Sequence, residues 1–174
     1  FGDRLQKKYA ETLGDEGRNY LDRMSSATQR MSTLISDLLT YSRVSTRAKP
    51  YTPVDLNQIA REVLSDLEVC RMESKAGVHI ENLPTVHADP TQMRQLFQNL
   101  VSNAIKFRKP GQAPEIHVDA QLIKGRHDGS TPDRVELRFQ DQGIGFDQKY
   151  ADSIFAPFQR LHNRKTYSGT GIGL

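Results

Sequence analysis

Apolar positions in the first 47 residues recur with helical spacing, and no proline interrupts them. From Leu21 the small or apolar positions run Leu21, Met24, Thr28, Met31, Ile35, Leu38 and Ser42. Steps alternating between three and four mark a bundle or coiled-coil seam, which Leu34 and Tyr41 widen. Before it, Phe1, Leu5, Tyr9 and Leu13 step by four, and Gly14-Asp15-Glu16-Gly17 reads as a turn. The pattern predicts a helical hairpin with a short first arm. Such a hairpin buries little alone, so it is expected either to pair with a second copy as a four-helix bundle or to pack on its own chain.

Further on the period changes. Arg47 to Pro53 carries basic residues and two prolines and reads as a linker, placed at 48–54, with Pro50 and Pro53 bounding a hinge. Asp55 is positioned to cap a helix running to about Ala76, with Gly77 ending it. Val78 to Asn82 and Thr85 to Ala88 are short strand candidates. Asp89-Pro90 supplies a cap and a proline at the first helical position. The helix that follows, to about Phe107, has a stripe of Met93, Leu96, Phe97, Leu100, Val101 and Ala104. Glu115 to Ile123 and Arg134 to Phe139 alternate as strands, and 147–154 reads as a short helix. Strands interleaved with helices predict an α+β class: a helical hairpin, then an α/β sandwich over 55–174 with one mixed sheet and helices on one face.

Composition narrows the function classes. The 174 residues are 36% hydrophobic, enough for a core, and no apolar run is long enough to span a bilayer. A net charge of +3 is too mild to argue for a nucleic-acid partner. The lone cysteine, Cys70, cannot form an internal disulfide, which fits a reducing, cytoplasmic setting. The chain opens without an initiator Met and stops just after a glycine cluster, so it is expected to be a piece of a longer protein, soluble or membrane-anchored as a whole.

Three clusters carry candidate chemistry. Asn99 and Asn103 share a helix face, and Lys106 follows one turn later. Amide oxygens can ligate hydrated Mg²⁺, and an ammonium can neutralise phosphate. Asp141-Gln142-Gly143-Ile144-Gly145 follows a strand; its glycines admit a flat ligand close to the backbone, and the carboxylate can accept from an adenine amino group. Gly169-Thr170-Gly171-Ile172-Gly173 offers bare amides for an anion. Upstream, Arg160, His162, Arg164 and Lys165 form a stretch without acids. Each cluster has a plainer reading: an amphipathic helix, a tight turn, a flexible loop.

Taken in order, the clusters resemble the ATP-binding domain of sensor histidine kinases, the GHKL or Bergerat fold. Asn99 to Phe107 is similar to the N box and Asp141 to Gly145 to the first glycine box. Ile154 to His162 is similar to the F box and Gly169 to Gly173 to the second glycine box. Residues 1–47 resemble the dimerisation-and-phosphotransfer hairpin, ending Leu38-Leu39-Thr40-Tyr41-Ser42-Arg43. The wording of 158–162 and 167–171 is closest to phytochrome-like and PAS-linked members.

The resemblance implies transfer of the ATP γ-phosphate to a histidine, for relay to a response regulator receiver domain, in a homodimer joined through the hairpin. The other class kept open is a nucleotide-binding scaffold without kinase activity. By resemblance, Asn103 and Asn99 hold Mg²⁺, Lys106 and Arg160 reach the phosphates, and Phe107 stands beside the adenine. Asp141 accepts from the adenine amino group, with Gly143 and Gly145 lining the base pocket. Gly169, Thr170, Gly171 and Gly173 wrap the phosphates, and Phe155 and Phe158 anchor the flap. ATP-hydrolysing relatives carry a Glu where Asn99 stands; an amide cannot deprotonate water, which suits transfer over hydrolysis. The family's acceptor His is missing from residues 1–78 and is expected upstream of Phe1. His127-Asp128-Gly129-Ser130-Thr131-Pro132 has the acceptor's skeleton but lies in an inter-strand loop, and His79, His87 and His117 read as packing or surface residues.

Overall fold

The computed structural model describes residues 2–9, 12–46, 50–125 and 132–156. It divides into two compact units, 1–46 and 47–174.

The first unit is two helices, α1 (Gly2–Tyr9) and α2 (Gly14–Thr46). The turn falls earlier than the glycine signal suggests. Thr12 and Leu13 both donate to the Tyr9 carbonyl, and α2 already begins at Gly14. Asp15 and Glu16 thereby occupy its first turn, where carboxylates oppose the positive end of the helix dipole. At 33 residues α2 is about 50 Å long, whereas the eight residues of α1 cover about 12 Å. Met24, Met31 and Ile35 of the seam are 66%, 63% and 57% exposed.

The second unit begins inside the segment read as a linker. Thr52–Asp55 is a strand, β1, paired antiparallel with β3 (Thr85–Ala88), with Val54 opposite Val86. Pro53 is tolerated because both strands of a two-stranded sheet are edges, where a missing N–H breaks no ladder. Asp55 caps α3 (Leu56–Asp66) by accepting from Asn57 N at 2.8 Å. The Asn57 amide is a second tie: it donates to Leu83 O at 2.6 Å and accepts from Leu83 N at 3.0 Å.

The helix expected to reach Ala76 is two pieces. It breaks at buried Leu67, and α4 runs Glu68–Ser74. Lys75, in the left-handed conformation at φ 55°, ends α4, and Ala76 N returns to Arg71 O. Gly77, expected to stop the helix, instead opens β2 (Gly77–Ile80). The single mixed sheet is also corrected: β1 and β3 form a separate ribbon, while β2, β4 (Glu115–Ile123) and β5 (Arg134–Asp141) form a three-stranded sheet. In it β2 runs parallel and β5 antiparallel to β4.

The core joins α3, α5 (Pro90–Lys106) and one face of that sheet. Leu56, Val63, Phe97, Val101, Ile116 and Val118 are its fully buried side chains. Phe97 meets Phe139 edge-on with ring centroids 4.9 Å apart. Arg94 clamps α5 to α3 through Glu62, at 3.0 Å, and Asp66. The predicted α5 stripe holds at Phe97, Val101 and Ala104, but Leu96 is exposed and Ile105 takes a core place. After β5 the expected 147–154 helix is only a 3-10 turn, Gln148–Tyr150, continued as turns.

Candidate nucleotide site

The site is assembled at the C-terminal end of α5. Asp89 fixes where that helix starts: its buried carboxylate accepts from Thr91 N at 2.8 Å and Gln92 N at 3.3 Å, with Pro90 at the first position. With Phe97, Val101, Ala104 and Ile105 turned into the core, Asn99, Asn103 and Lys106 remain half-buried along the helix flank. Asn99 Oδ1 accepts from Gln95 Nε2 at 2.8 Å. The helix closes at Phe107, whose N–H donates to Asn103 O at 2.8 Å. Lys106 Nζ lies 4.4 Å from the Phe107 ring centroid, within cation–π range.

The second component arrives from β5. Register pairing sets Asp141 opposite Ile116, so the carboxylate stands at the strand's end beside a core position of β4. Its Oδ1 accepts from Gly143 N at 2.7 Å, folding the chain into a tight turn. Ile144 N then donates to Phe107 O at 2.9 Å. This bond latches the glycine loop onto the end of α5. A Cβ on Gly143 would lie 2.6 Å from both Phe107 O and Asp141 Oδ1, so only glycine permits the approach. Gly145 adopts φ +61°.

The latch joins Phe107, at the end of α5, to the turn formed by Asp141, Gly143 and Gly145; Lys106 precedes Phe107, Asn103 lies one turn back along the helix and Asn99 two. Phe155 is exposed in the following turns. Phe158, Arg160, Gly169, Thr170, Gly171 and Gly173 lie outside the described residues. Sequence reasoning missed the latch itself. Its donor and acceptor are main-chain atoms of Ile144 and Phe107, and only the glycine at 143 hinted at a close approach.

Hard oxygen donors suit Mg²⁺, and two amide side chains on a partly buried helix flank provide them. The Asn99 oxygen, already accepting from Gln95, has one lone pair left; that of Asn103 stands one turn nearer the loop. Farther along, Asp147 is held below the ordinary carboxylate range, chiefly by Lys149, whose Nζ lies 2.9 Å from Oδ2.

A sandwich of helices on one sheet face, with an Asn-bearing helix clasped by a post-strand glycine turn, defines an ATP-binding domain of the GHKL type. Residues 88–174 match the family of histidine kinase-, DNA gyrase B-, and HSP90-like ATPases, and the chain belongs to it. It is 37% identical over 170 residues to Cyanobacterial phytochrome A of Nostoc sp. strain PCC 7120, covering 98% of this chain and 21% of that protein. Phytochrome-like protein Cph1 of Synechocystis sp. strain PCC 6803 is 36% identical over 170 residues, covering 98% and 22%. The chain therefore spans about a fifth of the length of these relatives. In fold it is similar to histidine kinase ThkA, solved in complex with response regulator protein TrrA (TM-score 0.63, 24% identity, 86% of this chain and 41% of that one). The chain thus carries a histidine kinase-type ATPase domain homologous to those of phytochrome-linked and other sensor kinases.

Proposed function

We propose that this chain is the catalytic core of a sensor histidine kinase: it binds Mg²⁺·ATP at the latched site and passes the γ-phosphate to a histidine supplied from outside it. The observation that carries the reading is the latch, which holds Asp141 and the glycine turn against the helix end bearing Asn103 and Lys106. In the proposed arrangement the second carboxylate oxygen of Asp141 accepts from the adenine amino group, and Gly143 and Gly145 leave room for the base. Phe107 contacts the base edge and Lys106 reaches toward the phosphates. Asn103, supported by Asn99, holds the Mg²⁺, which supplies neutralisation of the polyphosphate charge. Arg160 and the amides of Gly169, Thr170, Gly171 and Gly173 complete the phosphate grip. Catalysis of this kind rests on positioning and charge neutralisation.

Residues 1–47 serve in the proposal as part of the dimerisation-and-phosphotransfer hairpin, joining two copies along α2. The exposed Met24, Met31 and Ile35 support that pairing. The segment ahead of β1 acts as the hinge. The receiver domain of a response regulator is the onward partner, in line with the ThkA complex. A cytoplasmic setting accords with the single exposed, unbridged Cys70, and no helix among the described residues is long and apolar enough to cross a membrane.

The test supplies the missing acceptor. The chain is incubated with ATP, Mg²⁺ and a separately produced acceptor helix from a phytochrome-like relative. An acid-labile, base-stable phosphate on the helix is expected. Tight nucleotide binding without transfer to any acceptor would leave only a scaffold.

A further inference from the structure

The outward face of the three-stranded sheet holds a group of side chains that the nucleotide site does not use. Strand alternation turns Ile116 and Val118 into the core, so Glu115 and His117 stand on the opposite face. The parallel register sets Gly77 beside Glu115 and His79 beside His117. The two imidazoles stack, with centroids 4.8 Å apart and planes 17° from parallel. His79 Nε2 lies 3.1 Å from Glu115 Oε2. Gly77 makes this possible: the Glu115 carboxylate occupies the volume its Cβ would take. A shallow depression of about 380 Å³ opens beside the two imidazoles, flanked also by Glu81 and Asp119.

We propose that His79, Glu115 and His117 form a binding site for a divalent transition-metal ion, Zn²⁺ above all, separate from the nucleotide's Mg²⁺. Two imidazoles and a carboxylate are the donor set of open zinc sites, with water as the fourth ligand. Metal–ligand lengths near 2.0–2.2 Å in a tetrahedron put the donor atoms roughly 3.3–3.6 Å apart. The His79–Glu115 pair is already close to that span, and all three donor atoms lie within 4.8 Å of one another. Rotation of the His117 side chain closes the rest, while the two strands hold their register. A His79–Glu115 hydrogen bond accounts for two members of the group; it does not call for a second imidazole at the register-partner position. Mg²⁺ prefers an octahedron of oxygens and is a poor occupant. A bound ion would staple β2 to β4 across the sheet.

The experiment is a calorimetric titration of the whole chain with ZnCl₂, without nucleotide, in a Cys70→Ser background that removes the exposed thiol. A parallel Co²⁺ titration reports coordination through its visible absorption. The expected result is one ion per chain, intense tetrahedral Co²⁺ bands, and no displacement by excess MgCl₂. Affinity should fall roughly tenfold or more in His79→Gln, His117→Gln and, separately, Glu115→Gln. His87→Gln and His127→Gln should bind as the parent does. All the substituted ligands are on the sheet's outer face, so circular dichroism should be unchanged. Zn²⁺ binding that survives the His79→Gln/His117→Gln double variant, or that follows His87 or His127, overturns the proposal, as does a chain that binds no Zn²⁺. Nucleotide affinity is measured on the same variants and should not move, which separates this outcome from the fate of the kinase reading.

Discussion

Gly143 and Gly145 stand two residues apart and are glycines for different reasons. At 143 the constraint is space: a Cβ would press on two oxygens at 2.6 Å, one of them main chain. At 145 the constraint is conformation: φ is +61° and nothing lies within 4 Å. Gly143→Ala should therefore break the Ile144–Phe107 latch and lower ATP affinity sharply, at a stability cost of about 1–3 kcal/mol. Gly145→Ala should cost about 1 kcal/mol through strain alone, and Gly145→Asn less, since asparagine tolerates the left-handed region. Thermal melts with calorimetric ATP titration separate the two; equal losses of affinity at both positions would contradict this account. Asp141→Asn tests the acceptor directly. It keeps a side-chain oxygen for Gly143 N but places an amide donor where the proposed adenine contact needs an acceptor. Lost ATP binding with an unchanged melting temperature is the expected outcome, and unaltered affinity would remove Asp141 from the pocket. These residues stand out in the sequence because their chemistry is carried by side-chain type and by glycine. The latch was not, because any residue can supply its N–H and C=O.

Element boundaries were legible wherever a side chain marks them. Asp55 and Asp89 announce helix starts, and both accept main-chain N–H groups two residues on. Asp89→Ala should cost about 1–2 kcal/mol by unwinding the first turn of α5, read by urea denaturation; a loss confined to a few tenths would show that Pro90 alone sets the start. Asp55 carries a pH signature. The Asn57 main-chain and side-chain N–H groups hold its carboxyl below the ordinary value of 3.8. A lowered carboxylate stabilises the fold fully above that value and loses the contribution as pH falls through the lower folded one. Stability of the parent chain should thus decline in acid more than that of Asp55→Asn, which caps without titrating; parallel denaturation curves from neutral pH down to about pH 2 would refute the assignment. Breaks set by tertiary packing were not legible. Buried Leu67 splits α3 from α4, although nothing in its neighbours' propensities calls for an interruption. Likewise β1 hides in a proline-bearing basic run, because pairing with β3 as an edge ribbon overrides local preference.

At the scale of the whole molecule, the sequence pattern anticipated a helical segment followed by a helix-backed sheet, but not how the strands divide. Four-residue strands have too few positions for alternation to say which partner they pair with, so β3 reads as part of one sheet with β2, β4 and β5, and β1, its actual partner, reads as linker. The helical seam was clear, since it repeats over many turns. Its exposure within one chain has a consequence. Met24, Met31, Ile35 and Leu38 are exposed along α2, and a contiguous apolar stripe of this kind seeks a partner. The homodimer proposed above would set a second α2 there, with Met24, Met31, Ile35 and Leu38 against their counterparts. Light scattering should then show concentration-dependent dimers. Ile35→Glu and Leu38→Glu, both exposed in the single chain, should shift the equilibrium to monomer by burying an uncompensated charge only when two copies meet. ATP affinity should stay the same, because the proposed nucleotide site draws on α5 and the β5 loop of the second unit. A chain that is monomeric at every accessible concentration, or one whose dimer ignores both glutamates, would place the joining surface elsewhere and leave the stripe to the remainder of a longer protein.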